Sequence, residues 1–152
     1  MIDQALIIRK MNLIAPDLEK IIALATGDVS KYLEDPISED LAERYLERAI
    51  GRMIDINFHL ITESGQPPPR DYYDSFLKLG EMGILPRDLA QKVAACAGLR
   101  NRIAHEYDDI DPVLIHAGLV AAAKDIPHYL RHIEHFLTSD TDLIRRDPPN
   151  RP

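Results

Sequence analysis

Apolar residues recur along this chain at helical spacing, and no stretch alternates strictly enough to read as a strand. In the first segment, residues 2–24, Leu6, Leu13, Ile14, Leu18, Ile21 and Ile22 read as the apolar positions of a helix, which Pro16 is expected to kink or restart. Gly27 and Asp28 read as a stop, followed by a short loop over 29–35. A second helix is predicted from Pro36 or Ser38 to Ser64. Asp35 or Ser38 would cap it, and Glu39 and Asp40 sit in its first turn, where carboxylates complement the free N–H groups. Its apolar stripe is Ala42, Leu46, Ala49, Ile50, Met53, Leu60 and Ile61, and Gly65 with Pro67, Pro68 and Pro69 ends it. A shorter helix over 70–80 is closed by Gly83. A fourth helix opens at Pro86 and runs through Leu89, Val93 and Cys96 towards a cluster of aspartates, Asp108, Asp109 and Asp111. Pro112, with Asp111 as cap, starts a fifth helix to about Leu137. Ile126, Leu130, Ile133 and Leu137 line one side of it, and Pro127 is expected to bend it. From Ser139 onward the chain is polar and proline-rich, which predicts a disordered tail. The expectation is an all-α, up-and-down bundle of about five helices over residues 1–138, with a tail over 139–152.

The length of 152 residues suits one domain with a real core, and 45% hydrophobic with 28% charged residues is an ordinary globular balance. No apolar run approaches the roughly 18 residues needed to cross a bilayer, and no charged n-region precedes a long apolar one. Neither a membrane association nor a secretory signal is therefore expected. The single cysteine, Cys96, lies among Ala94, Ala95 and Ala97 and reads as a small core residue in a chain suited to the cytoplasm. A net charge of −7 excludes a generic basic nucleic-acid binder. It leaves room for a local cationic site that holds a few phosphates, and it suits pairing with a partner protein.

The candidate chemistry is concentrated in Arg100-Asn101-Arg102-Ile103-Ala104-His105-Glu106-Tyr107. A guanidinium neutralises charge that develops on a phosphate and keeps its own proton. An imidazole gives or takes a proton near neutral pH. Together they meet the needs of metal-free RNA cleavage, in which a ribose 2′-hydroxyl attacks the adjacent phosphorus. Tyr107 adds a hydroxyl open to modification. At 100° per residue, Arg100 and Tyr107 share a face to within about 20°, whereas Arg100 and His105 diverge by about 140°. Convergence of that pair then requires either a helix that loosens near His105 or a second subunit that completes the pocket.

These residues resemble the signature of the HEPN superfamily, an Arg followed after four to six residues by His, and in particular the HepT-like toxins, which add Tyr two positions after His. The resemblance extends to Tyr32-Leu33-Glu34-Asp35-Pro36, to Glu43-Arg44 with Met53-Ile54-Asp55-Ile56, to Tyr73-Asp74-Ser75-Phe76, to Gly83-Ile84-Leu85-Pro86, and to the stretch from His105 to Asp111-Pro112. It spans residues 2–137. It implies an all-helical homodimer acting as a metal-independent endoribonuclease, the toxin of a type II/VII-like toxin–antitoxin system, with no cofactor. The implied partner is an MntA-like minimal nucleotidyltransferase antitoxin that attaches AMP to the motif tyrosine, here Tyr107. Carried over residue by residue, Arg100 and His105 are catalytic and Asn101 positions them; Arg102 either assists phosphate binding or is solvated. The alternative is a catalytically inactive HEPN binding module that partners a nucleotidyltransferase without cutting RNA.

Two further patterns bear on this reading. Arg48, Arg52, Asp55 and His59 form a polar stripe on the second helix. It reads either as a solvated face with an arginine paired to Asp55 or as the edge of an RNA cleft beside Arg100 and Arg102; Asp55 is also a candidate to orient a motif arginine. His128, His132 and His135 recur at i, i+4 and i+7, a spacing compatible with a metal. Without a cysteine or HExxH partner they read better as a solvated or interface face, and no metal site is expected.

Overall fold

The computed structural model describes residues 1–105 and 110–146 of the chain. These form six helices and no strand: α1 (Gln4–Thr26), α2 (Val29–Glu34), α3 (Pro36–Glu63), α4 (Tyr72–Glu81), α5 (Arg87–His105) and α6 (Pro112–Arg146). α3 packs against every other helix and is the axis of the bundle.

Local chemistry sets most of the boundaries. Asp3, Asp28, Asp35 and Asp71 cap α1 to α4 by accepting N–H bonds from the first turn. Asp111 does the same for α6 through the Val113 N–H at 2.9 Å. α3 and α4 end at Gly65 and Gly83, both at φ 76°. In each case the following N–H returns to a carbonyl of the last turn, Gln66 to Ile61 and Ile84 to Leu79, an arrangement that glycine adopts without a Cβ penalty.

Three expectations are corrected. Residues 29–34, expected as loop, are the short helix α2, started by the Asp28 cap and anchored by buried Tyr32. Its six residues are too few to show a periodic stripe. α1 does not restart at Pro16 but runs as one helix through it. A proline withholds the N–H that the carbonyl four residues earlier, on Asn12, would accept; in the same turn the neighbouring Leu13 carbonyl accepts from the Arg52 guanidinium at 2.9 Å, which ties this part of α1 to α3. α6 continues beyond Leu137 to Arg146, so the expected tail is helical from Ser139 to that residue. No proline interrupts the sequence there before Pro148.

α1 and α3 run antiparallel, because residue 3 meets residue 59, residue 10 meets 55 and residue 17 meets 52. The side of α1 that is buried is Ile7, Ile14 and Ile21 with Asp17, whereas Leu13 and Ile22 of the expected set are exposed. All seven expected stripe residues of α3 are buried, as are Leu89, Val93 and Cys96 of α5. Burial pushes the Cys96 thiol up to about 12, with Asp125 adding to the effect, so it is an inert core group. At the centre, the Tyr129 hydroxyl donates to Asn57 at 2.6 Å and Asn57 donates to Ser75 at 3.1 Å, which ties α6, α3 and α4 through buried polar groups that satisfy one another. Among the described residues no helix is long and apolar enough to cross a membrane.

Candidate active site

A cleft of about 960 Å³ opens between α1, α3, α4 and α5. α1 contributes Lys10, α4 contributes Tyr72 and α5 contributes Arg100. The floor is the polar side of α3, with Arg44, Glu47, Arg48, Gly51, Arg52, Asp55, Phe58 and His59. Five fixed cations thus face two carboxylates, which makes this a cationic recess in a chain of net charge −7. Such focusing of one sign in a concave wall attracts polyanions locally while the rest of the surface repels them.

The cations are held in different ways. Asp17 is 1% exposed beneath the α1–α3 seam, with Arg52 Nη1 at 2.8 Å and Arg48 Nε at 3.4 Å. Asp55 pairs with Lys10 at 3.0 Å. The expected pairing of Asp55 with an arginine of its own helix is therefore replaced by cross-helix pairs, and Asp55 orients a lysine rather than a motif arginine. Arg100 is held by an aromatic group: its guanidinium carbon lies 5.5 Å from the centroid of the Tyr72 ring. Its Nε–H is buried without an acceptor among the described residues. Phe58 meets Tyr72 edge-on, with centroids 6.1 Å apart. His59 accepts the Asp3 backbone N–H through Nε2 at 2.9 Å, which places the proton of a neutral ring on Nδ1.

The structure brings Arg48, Arg52, Asp55 and Arg100 into one cleft. It does not add the other described motif residues. His105 is the last residue of α5 and is exposed, and Asn101 is half-buried; neither lines the cleft. Arg102 lines a separate groove of about 430 Å³ between α5 and α6, with Leu99, Leu114 and Gly118, so it is not on Arg100's side. Tyr107 lies outside the described residues. Next to the end of α5, a second recess is bordered by Asp40, Glu43 and Glu47 with Ile103 and Ala104. Burial raises the Glu43 carboxyl above its ordinary value, and repulsion from Glu39, Asp40 and Glu47 adds to that. The C-terminal histidines do not gather: His128 is hydrogen-bonded to Arg131, and no group of three or more metal-ligating side chains converges among the described residues.

Sequence reasoning missed Lys10, Arg44, Gly51, Phe58 and Tyr72 as cleft residues and Asp17 as its anchor. Arg44 was within reach, four residues before Arg48 on the same stripe. The others depend on which helices meet.

Comparison with known proteins agrees with this architecture. The model of the family described as "Ribonuclease HepT-like" matches residues 14–135. The chain is 31% identical over 136 residues to a tRNA nuclease HepT of Aphanizomenon flos-aquae, covering 90% of this chain and 92% of that protein. It is 25% identical over 129 residues to an mRNA nuclease HepT of Shewanella oneidensis, covering 84% and 88% respectively. Its fold matches that of a tri-AMPylated Shewanella oneidensis HEPN toxin solved in complex with an MNT antitoxin, with a TM-score of 0.77 at 23% identity over 86% of this chain and 97% of that one. With residues 14–135 matched by the family model and 90% of its length by a relative 31% identical to it, the chain belongs to the HepT-like ribonuclease family.

Proposed function

We propose that this protein is the endoribonuclease toxin of a toxin–antitoxin pair and that it cleaves RNA without a metal ion. The observation that carries this reading is Arg100 in a cationic cleft, free of any carboxylate partner among the described residues. In the proposed reaction the ribose 2′-oxygen attacks phosphorus, the bond to the 5′-oxygen breaks, and the products are a 2′,3′-cyclic phosphate and a 5′-hydroxyl. Arg100 stabilises the charge that builds on the phosphoryl oxygens, and His105 takes or returns the proton. Asn101 supports the position of the pair, and Arg48 binds flanking phosphate. Arg52 serves chiefly to hold the cleft wall, because its charge is committed to Asp17 and Leu13.

His105 sits outside Arg100's cleft on the same chain, so the complete site is a property of a homodimer in which one copy supplies the guanidinium and the other the imidazole. The antitoxin partner is a nucleotidyltransferase of MNT type. It transfers AMP from ATP to the Tyr107 hydroxyl and releases pyrophosphate, which blocks the site. The setting is the cytoplasm, where RNA and ATP are both present.

The test is cleavage of RNA by the purified protein in EDTA, with the partner removed. Loss of the general acid–base in His105→Ala is expected to slow cleavage by about 10²- to 10⁴-fold. Cleavage by His105→Ala at the rate of the unaltered protein overturns the assignment.

A further inference from the structure

We propose that Tyr72 is the positioning residue for Arg100: its ring, braced by Phe58, holds the guanidinium over the cleft so that no carboxylate has to. This rests on the reading of Arg100 as the phosphate-binding group.

The cations of the cleft supply the contrast. A guanidinium fixed by a carboxylate gives up both N–H donors and net charge to that partner. Arg52 is in that condition through Asp17 and Lys10 through Asp55, whereas Arg48 stands farther from the Asp17 carboxylate, at 3.4 Å. A guanidinium fixed by an aromatic face keeps its full charge and its fork of donors, because the ring attracts it through its quadrupole and accepts no strong hydrogen bond. Arg100 is in that second condition, 5.5 Å from the Tyr72 centroid and with its buried Nε–H lacking an acceptor among the described residues. A donor in this state favours any ligand oxygen that reaches it.

The ring is itself held in place. Phe58, on α3, meets it at 79°, the edge-to-face geometry that aromatic pairs prefer. Tyr72 is the first residue of α4, directly after the Asp71 cap, so its backbone is fixed by the helix start. Both rings and Arg100 line the same cleft. Tyr72 is 39% exposed, so it can be replaced without opening the core.

The test compares Tyr72→Leu, Tyr72→Phe and Arg100→Ala in RNA cleavage. It also follows the Arg100 Nε–H proton by NMR, which the facing ring shifts upfield. In Tyr72→Leu, kcat is expected to fall roughly 10- to 100-fold with KM nearly unchanged, the signature of a displaced transition-state contact. The ring-current shift is expected to vanish at the same time. Tyr72→Phe keeps the ring and is expected to restore both. Full activity in Tyr72→Leu while Arg100→Ala is inactive overturns the positioning role and leaves the nuclease reading intact. Full activity in Arg100→Ala overturns the role of Arg100 and this proposal with it. An Arg100 resonance at its ordinary position in the unaltered protein also overturns the proposal.

Discussion

Arg100 lines the cleft between α1, α3, α4 and α5, whereas His105, five residues further along the same helix, is exposed beyond it. If each complete site takes its arginine from one copy and its histidine from the other, two dead variants can rescue each other. Arg100→Ala and His105→Ala are each expected to be inactive alone. Mixed in equal amounts and allowed to exchange subunits, they form heterodimers in which one site is whole and the other carries both defects, which restores about a quarter of the unaltered activity. Cleavage that stays at the level of the single variants after exchange places both groups of a site on one chain.

Asp17 neutralises part of the cleft from below. Asp17→Asn removes the charge that Arg48 and Arg52 share, and the two effects of this run in opposite directions. Stability is expected to fall by about 2 kcal/mol, less than for a fully enclosed pair, because the arginine side chains keep 42% and 21% of their exposure. Affinity for RNA is expected to rise, with a salt dependence steeper by about one unit of log slope for each guanidinium that turns to phosphate. Thermal melts and binding titrations at several salt concentrations check both. Looser binding in the variant refutes the idea that Asp17 masks cleft charge.

Gly51 lies within α3, on the cleft floor, and a Cβ added there meets no atom within 4 Å. Nothing among the described residues requires glycine at that position, although glycine within a helix costs roughly 1 kcal/mol relative to alanine. The space above it belongs to the cleft. Gly51→Ala is therefore expected to raise stability by about that amount and to raise KM for RNA. An unchanged KM shows that substrate does not approach the floor here.

Asp74 gives the fold a defined sensitivity to acid. The Arg70 backbone N–H, at 2.9 Å, holds its carboxyl below the ordinary aspartate value of 3.8; burial opposes this, and the Arg70 side chain adds to it. A group whose pKa is lower in the folded than in the unfolded chain contributes stability above the unfolded value and loses it as pH falls through the folded one. The gap in stability between the unaltered protein and Asp74→Asn is thus expected to be constant from neutral pH down to about 4 and to shrink below that. Chemical denaturation between pH 7 and pH 3 measures it, and a gap that stays level to the lowest pH contradicts the assignment.

How far the chain could be read from its residues depended on the range over which each feature is decided. Caps such as Asp35 and Asp111, the stops at Gly65 and Gly83, and the stripe from Ala42 to Ile61 were legible, because helix ends and helical faces are settled within a few residues of one another. α2 escaped because six residues carry no period. The apolar side of α1 was misjudged because two neighbours, α3 and α6, cover that helix and leave Leu13 and Ile22 outside.

For the site, the residues that share α3, Arg48, Arg52 and Asp55, were visible as a stripe, and the motif around Arg100 pointed to phosphate chemistry. Their partners were not visible. Asp17, Lys10 and Tyr72 stand tens of residues away and reach the cleft only because α1 runs antiparallel to α3 and α4 folds back beside α5. Periodicity states which way a side chain points from its own helix. Only the docking of one helix on another decides what it meets there, and so whether an arginine is neutralised by a carboxylate or left charged above a ring.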